Sequence, residues 1–208
     1  MDYVFSNLLG APYRGGTLLI QDNELLTPVG NRVGQVNLVE STSKCLPYEN
    51  LTQIRVLCVS PDGALLLSID ADGRALLINR KRQALLSHFS FGAPVACARF
   101  SPEGRYVAVA VGRLVQVKVF QQSSGSCFVT FAEHTAPVSA LAFLPSGHAL
   151  LSASLDGTVR AWDLVRYRNF RTLTAPAAVQ FGSLAVDPGG EVVVAGTVDT
   201  FQPRSTAA

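Results

Sequence analysis

The sequence predicts an all-β fold made of repeated sheets of about four strands, and three observations predict it. A turn-forming tetrapeptide recurs four times, beginning at Ser60, Ser101, Leu144 and Asp187, with spacings of 41, 43 and 43 residues. Each tetrapeptide stands between two short apolar segments, and helical periodicity is missing nearly everywhere. Short strands grouped about four to a unit at this spacing indicate a β-propeller.

The individual strands follow from the apolar segments on either side of the turns. The segments before the turns are RVLCV, ACARF, ALAF and SLAV, and those after them are ALLLSI, YVAVAV, ALLSAS and EVVVAG. Three of the four units then reverse again, at ADGR, LDGT and VDTF. Residues 17–39 make a partial unit before these, and the last unit is short of strands. We therefore expect four to five blades that form an incomplete or poorly closed propeller.

The unit at residues 133–164 resembles a WD40 repeat at every diagnostic position. His134 occupies the place of the histidine in the usual Gly-His pair, with Glu133 in place of the glycine. Asp156 matches the aspartate of the tight turn, and Trp162 and Asp163 form the Trp-Asp dipeptide that gives the repeat its name. The resemblance implies that the propeller is of the WD40 type.

His134, Ser152 and Asp156 are also the residue types of a catalytic triad. In the WD40 pattern, however, the same types together with Trp162 form a buried hydrogen-bond chain that ties the outer strands to the inner ones. A catalytic serine must lie in a cleft beside an oxyanion site, and the sequence has no GxSxG nucleophile elbow. We predict a structural network, no catalytic residues and no enzymatic activity.

The neighbouring units depart from the WD40 pattern. The unit after Ser60 has Asp72 in the turn but Ile78 and Asn79 at the Trp-Asp position. The unit after Ser101 reads VGRLVQVKVF and has no turn aspartate. We expect both units to lack the polar chain and to fold on apolar packing alone.

Composition indicates a folded chain without an extreme charge. The chain has 208 residues, of which 48% are hydrophobic and 15% charged, and its net charge is +2. Its apolar segments are interrupted before they reach the roughly 18 residues of a membrane span, and the N-terminus lacks the basic region of a secretory signal. We expect no membrane partner and no small-molecule substrate.

The four cysteines are far apart and contain no CxxC pair. Cys58, Cys97 and Cys127 stand in apolar, strand-like segments, which predicts small buried hydrophobic residues in a reducing compartment. A zinc site needs clustered ligands, and the three histidines are scattered. The sequence predicts neither a metal nor a cofactor.

The stretch RAWDLVRYRNFRTL, residues 160–173, interleaves arginines with aromatic residues. Within the repeat, a third strand should end at Asp163, a hairpin should follow over residues 164–168, and residues 169–173 should form the outer strand. Simple alternation then places Phe170 and Thr172 on one face of that strand.

Three arginines, Arg166, Arg168 and Arg171, should then crowd around this hairpin at the rim of the propeller. Two interpretations remain open. The arginines form a solvated turn that protects a sheet edge, or they contact RNA phosphate or an acidic partner. Three arginines suffice for salt-sensitive binding but not for reading a base sequence.

A second basic stretch, NRKRQ, occupies residues 79–83. Its position is that of an outer hairpin, so an ordinary exposed turn is one interpretation and a nuclear-import patch is the other.

Several segments outside the repeat pattern resemble the periodic tryptophan protein 2 family. They are FSNLLGAPYRGG from Phe5, TPVGNRV from Thr27, and DGTVRAWDLVRYRNFRTLTAP from Asp156. The resemblance runs from about Tyr3 to Phe201, and RYRNFRT is its most specific part. It implies a nuclear, nucleolar scaffold of the small-subunit processome, with other WD40 scaffolds, pre-ribosomal RNA and a small nucleolar RNP as partners. RNA contact would be indirect. The alternative is a generic WD40 adaptor in another complex that binds short peptides.

The resemblance also implies a division of the chain. Residues 1–116 are similar to the N-terminal blades of the family, and residues 117–201 to a later propeller, which in the family is separated from them by a long stretch of sequence. Residues 202–208, QPRSTAA, have no counterpart and should be an unstructured tail. We interpret the chain as an internally shortened and C-terminally truncated form, with the repeat phase preserved across the joint.

Overall fold

The computed structural model describes residues 16–112, 115–175 and 179–198, and all regular structure in these ranges is β-strand. The strands form four four-stranded sheets and one two-stranded sheet, each an antiparallel meander in chain order. The first sheet contains β1 (Leu19–Gln21), β2 (Glu24–Val29), β3 (Arg32–Asn37) and β4 (Thr42–Glu49). The second contains β5 (Ile54–Val59), β6 (Leu65–Asp70), β7 (Arg74–Asn79) and β8 (Ala84–Ser90).

The third sheet contains β9 (Val95–Phe100), β10 (Tyr106–Val111), β11 (Gln116–Gln121) and β12 (Cys127–Phe131). The fourth contains β13 (Val138–Phe143), β14 (Ala149–Ser154), β15 (Thr158–Asp163) and β16 (Arg168–Thr174), and the fifth contains β17 (Phe181–Val186) and β18 (Val193–Thr197). The predicted all-β, WD40 propeller-like architecture of four to five blades is confirmed, and the array is not closed.

The repeated tetrapeptides form equivalent turns at one face of the array. Gly63, Gly104, Gly147 and Gly190 each have a positive φ, between 67° and 76°, which a side chain would strain. In each turn the glycine N–H donates to the carbonyl of the residue three positions earlier. Successive turns touch, since Gly104 lies beside Pro61, Gly147 beside Glu103 and Gly190 beside Pro145. The sheets therefore follow one another at the spacing of the turns.

Three apolar clusters fill the spaces between successive sheets. In the middle strands, neighbouring residues belong to different clusters: Leu66 packs between the first and second sheets, and Leu67 between the second and third. Ala108 and Val109 divide in the same way between the fourth and second sheets. Because both faces of these sheets are covered, the strands are continuous apolar runs rather than alternating ones.

The fifth sheet leaves the array open. Its second strand, β18, pairs only with β17 in the described part of the chain. Val192, Val194 and Val198 are exposed there. An apolar strand with one free edge and no covering sheet is the incomplete end that the sequence predicts.

The boundary expected between residues 116 and 117 falls inside β11. This strand pairs with β10 on one side and with β12 on the other. Both segments therefore contribute strands to the third sheet. The expected tail, residues 202–208, lies outside the described residues.

The expectation for the cysteines holds in part. Cys58 is buried and Cys97 is partly buried, and burial raises the pKa of each thiol to about 12. Cys127, however, is exposed, so the prediction that it is buried was wrong. It lies on β12, the outer strand of its sheet, where an apolar segment is covered only in part.

Candidate functional site

The fourth sheet brings the four predicted network residues together. His134 Nδ1 lies 2.8 Å from Asp156 Oδ2, and His134 Nε2 lies 2.7 Å from Ser152 Oγ. Trp162 Nε1 donates to the same Ser152 oxygen over 2.7 Å. The residues come from the segment before β13, from β14, from the β14–β15 turn and from β15. The hydrogen-bond network therefore joins the inner strands to the third strand.

The donors and acceptors of this network have only one consistent direction. An ionised Asp156 accepts a hydrogen bond, so His134 Nδ1 carries the proton and Nε2 is an acceptor. Ser152 then donates its hydroxyl hydrogen to His134 and accepts from Trp162. Every polar hydrogen of these four side chains has a partner, which is the condition for burying such a network without a large penalty.

Burial and hydrogen bonding set the protonation states. Burial lowers the pKa of His134 below its usual value of 6.5, although the Asp156 carboxylate acts in the opposite direction. For Asp156, burial alone would raise the pKa, but hydrogen bonds from Thr158, His134 and the Thr135 backbone outweigh it and lower the pKa to about 2. At neutral pH the pair is a neutral imidazole and a carboxylate.

The network does not present a nucleophile. Ser152 has no exposed surface, and the side chain of His134 is 2% exposed. Phe131 stacks on Trp162 at a ring-centroid distance of 4.5 Å and covers it. A substrate carbonyl could not reach Ser152 Oγ in this arrangement.

The second unit keeps a shortened version of the network, which sequence reasoning missed. Asn50 and Ser68 stand 84 residues before His134 and Ser152. Ser68 Oγ donates to Asn50 Oδ1 over 2.6 Å, and Asn50 Nδ2 donates to the Ser68 carbonyl. The expectation that this unit lacks the polar chain was therefore wrong in part. The repeat period itself was the signal that could have found the pair.

The turn of the second unit also differs from the prediction. Asp70, rather than Asp72, accepts hydrogen bonds from the turn, through the backbone N–H groups of residues 72 and 74. Asp70 is fully buried, so its carboxylate lies inside the turn that it stabilises.

The third unit lacks the polar chain, as predicted. Phe91 and Phe120 take the places of the histidine and the tryptophan, with ring centroids 5.1 Å apart in an edge-to-face arrangement. Val109 takes the place of the serine and is fully buried. The His134–Trp162 pair is also edge-to-face, with ring centroids 6.0 Å apart, so the two phenyl rings meet in the same orientation at a shorter distance.

The arginine-rich hairpin is built on Asp163. Its Oδ1 accepts from the N–H groups of Val165, at 2.8 Å, and Arg166, at 3.0 Å. These two hydrogen bonds lower the pKa of the Asp163 carboxyl. Tyr167 closes the turn with a φ of 55°, and the outer strand starts at Arg168, one residue earlier than predicted.

A β-bulge interrupts the alternation that was predicted for the outer strand. Ala161 pairs with Arg171, and Trp162 pairs with Asn169, which leaves Phe170 without an opposite residue. Asn169 Nδ2 donates to Thr172 Oγ1 over 2.9 Å, so these two residues share a face. Unbroken alternation would place Asn169 and Thr172 on opposite faces, so the alternation assumed for this strand does not hold through the bulge.

All three arginines singled out by the sequence are exposed. Arg166 and Arg168 flank Tyr167 at the tip of the hairpin, whereas Arg171 lies further along β16, opposite Ala161. Within the described ranges, no side-chain hydrogen bond or ion pair engages any of these guanidinium groups, although the Asp163 carboxylate lies close enough to Arg166 and Arg168 to interact electrostatically. The hairpin therefore holds two free cations rather than three.

Two nearby polar groups have structural roles instead. Arg160 donates to Glu133 over 2.8 Å, and Asn169 donates to the same carboxylate oxygen over 3.1 Å.

In the second basic stretch, residues 79–83, Arg80 forms an ion pair with Glu24 of the first sheet at 2.5 Å, while Lys81 and Arg82 remain exposed. Only part of that stretch is therefore a free surface.

The structure also places three aromatic rings at this hairpin that sequence reasoning did not connect. The Tyr167 ring lies 5.2 Å from that of Phe128, which lies 5.0 Å from that of Tyr106. Phe128 is itself a bulged residue, skipped where Val119 pairs with Val129 and Phe120 with Cys127. Leu86, Phe128 and Phe170 are 42 residues apart and occupy the same bulge in successive sheets.

The described residues contain no group of three or more histidine, cysteine or acidic side chains placed to bind a metal ion. Within the same ranges there is also no helix of the length and hydrophobicity required to cross a bilayer.

Comparison with known proteins identifies both the repeat and similar full-length proteins. The family model "WD domain, G-beta repeat" matches residues 125–163. Periodic tryptophan protein 2 of Saccharomyces cerevisiae is 53% identical over 172 residues, which cover 78% of this chain and 19% of the yeast protein.

Two further relatives show the same similarity. The periodic tryptophan protein 2 homolog of Schizosaccharomyces pombe is 59% identical over 168 residues, covering 76% of this chain and 20% of its own length. Periodic tryptophan protein 2 of Arabidopsis thaliana is 52% identical over 108 residues, covering 52% and 12%. The chain thus spans at most about a fifth of the length of these relatives.

Proposed function

Because this chain belongs to the periodic tryptophan protein 2 family, we propose that it is a non-enzymatic WD40 scaffold of ribosome biogenesis that helps to assemble the small-subunit processome. The observation that carries the proposal is the 51–59% identity to three fungal members over more than three quarters of the chain. The buried position of Ser152 supports the non-enzymatic part, because the residues that resemble a triad are used to hold one blade together.

The proposal includes partners and location. The partners are other WD40 scaffolds of the processome, pre-ribosomal RNA and the small nucleolar RNP, and the site of action is the nucleolus. Residues 1–116 and 117–201 derive from two different propellers of the family in this proposal. Their strands pair with one another in the third sheet.

Expression of the tagged 208-residue chain in cells tests this function. Its copurifying RNA and proteins are identified at moderate salt, and a tagged unrelated propeller serves as the control. Enrichment of small-subunit pre-ribosomal RNA and of processome proteins is the expected result. A soluble chain that recovers neither would overturn the proposal, and recovery of proteins with a shared short peptide motif would instead indicate a generic adaptor.

A further inference from the structure

The strongest unassigned feature is the chain of three rings, Tyr106, Phe128 and Tyr167, at the junction of the third and fourth sheets. We call it the ring chain. Tyr106 starts β10, Phe128 is the bulged residue of β12, and Tyr167 lies in the hairpin before β16. The residues are far apart in sequence, and only the packing of one sheet against the next brings their rings within 5.0 and 5.2 Å.

The rings are displayed rather than buried. Tyr167 is 52% exposed and Phe128 is 37% exposed, while Tyr106 is partly buried and anchors the row against the core between the two sheets. The bulge turns Phe128 out of the regular alternation, and Asp163 holds the hairpin that carries Tyr167. The rings contact one another in the free protein, so a ligand that stacks on them pays little to order them.

The charge beside the ring chain is positive and uncompensated by direct pairing. Arg166 and Arg168 flank Tyr167, are exposed, and form no ion pair in the described part of the chain. The Asp163 carboxylate lies near both, but it accepts hydrogen bonds from two backbone N–H groups of its own turn. Next to Tyr106, Arg105 is paired with Glu103 at 3.3 Å. Among the arginines next to the ring chain, Arg166 and Arg168 are therefore the two without an ion pair in the described ranges.

We propose that the ring chain, with Arg166 and Arg168, binds single-stranded RNA by stacking bases on Phe128 and Tyr167 and pairing phosphates with the two arginines. The ligand must offer flat π faces and negative charges at short, regular spacing, and single-stranded RNA has both. An acidic peptide supplies the charges but not the flat faces. Binding should be tolerant of base sequence, because none of these groups reads a base edge in a fixed pattern.

This inference deepens the proposed function and relies on it for the identity of the RNA in the cell, since it makes the expected RNA contact direct. Its test uses purified protein and is independent of ribosome assembly. Fluorescence anisotropy of a labelled 12-nucleotide oligouridine is measured against the full 208-residue chain at several potassium chloride concentrations. The variants are Tyr167→Ala, Tyr167→Phe and the pair Arg166→Ala and Arg168→Ala.

Tyr167→Ala should weaken binding about 5- to 150-fold, as expected for the loss of one stacked base, and Tyr167→Phe should bind like the original chain because it keeps the ring. Loss of the two arginines should reduce the slope of log affinity against log salt by about 1.4. Phe170→Ala and Arg171→Ala, exposed on the same strand but outside the ring chain, are the matched controls and should bind normally.

The inference is wrong if the chain does not bind the oligonucleotide, or if Tyr167→Ala and Phe170→Ala bind equally well. Displacement of the RNA by an oligoglutamate peptide at equal concentration, with no effect of Tyr167→Ala, would identify an acidic-partner site and also overturn it. RNA binding lost on Tyr167→Ala in a chain that recovers no pre-ribosomal particles would support the ring chain and refute the proposed function. Recovery of pre-ribosomal particles by the original chain, together with unchanged RNA binding by Tyr167→Ala, would support the proposed function and refute the role of the ring chain.

Discussion

Replacement of Ser152 by alanine separates a structural network from a catalytic one. The Ser152 hydroxyl is fully buried, accepts from Trp162 Nε1 and donates to His134 Nε2, both over 2.7 Å. Alanine leaves both partners buried and without their hydrogen bond. Each buried polar group left unpaired costs about 1 to 3 kcal/mol, so with two such groups we expect Ser152→Ala to lower the free energy of unfolding by about 2 to 6 kcal/mol. For a chain of this size that corresponds to a fall in melting temperature of about 4 to 24 °C.

The assay is thermal and urea unfolding followed by circular dichroism and tryptophan fluorescence. Trp162 is the single tryptophan of the chain, so its fluorescence reports on the network itself. Ser146→Ala is the matched control, because Ser146 is exposed in the same unit. It should unfold like the original chain.

A double-mutant cycle tests the hydrogen bond between Trp162 and Ser152. Trp162→Phe removes the N–H donor, so it should cost less stability in the Ser152→Ala background, where that donor is already unpaired, than in the original chain. Two outcomes would refute the reasoning. One is a melting temperature for Ser152→Ala within 1 °C of the original, and the other is a hydrolytic activity that disappears in this variant while the fold remains.

Three further predictions concern pH, the second unit and a turn. Because burial lowers the pKa of His134, the unfolded chain takes up a proton below pH 6.5 that the folded chain does not, so stability should fall as the pH drops through that region. The slope, measured by urea unfolding from pH 8 to pH 5, should be smaller in His134→Asn. Ser68→Ala should lower the free energy of unfolding by about 1 to 3 kcal/mol, because Asn50 loses its buried donor, and unchanged urea unfolding would contradict this. Gly73→Ala should cost more stability than Gly30→Ala in the same assay: both have positive φ, but only at Gly73 would a Cβ strike a neighbouring backbone carbonyl.

The repeat could be recognised from the turn-forming residues and their regular spacing in the sequence. Proline and glycine within these tetrapeptides favour a tight turn, so the spacing of the tetrapeptides predicted the number of sheets and the strand order within them. The WD40 unit was equally readable, because His134, Ser152, Asp156 and Trp162 stand at fixed distances along the chain. The last unit has fewer strand-like segments than the others, and this predicted the open end of the array.

Predictions that depended on register were weaker. The alternation assumed for β16 does not hold because a bulge adds one residue to this strand, and neither propensity nor alternation marks where a bulge falls. The Asn50–Ser68 pair was missed because an asparagine in place of a histidine looks like loss of the network, whereas its amide supplies both an acceptor and a donor.

Only the tertiary structure decided which surfaces exist. The ring chain joins residues of β10, β12 and the hairpin before β16, and its contacts arise because the third and fourth sheets pack face to face. Contact between sheets also explains why Arg80 is not part of the exposed basic surface, since its ion-pair partner Glu24 belongs to another sheet. Turn and strand signals act over a few neighbouring residues, so the sequence by itself determined the repeat, its turns and the network of one unit. Contacts between sheets depend on register and packing across the whole array, and these decided which arginines are free and which rings meet.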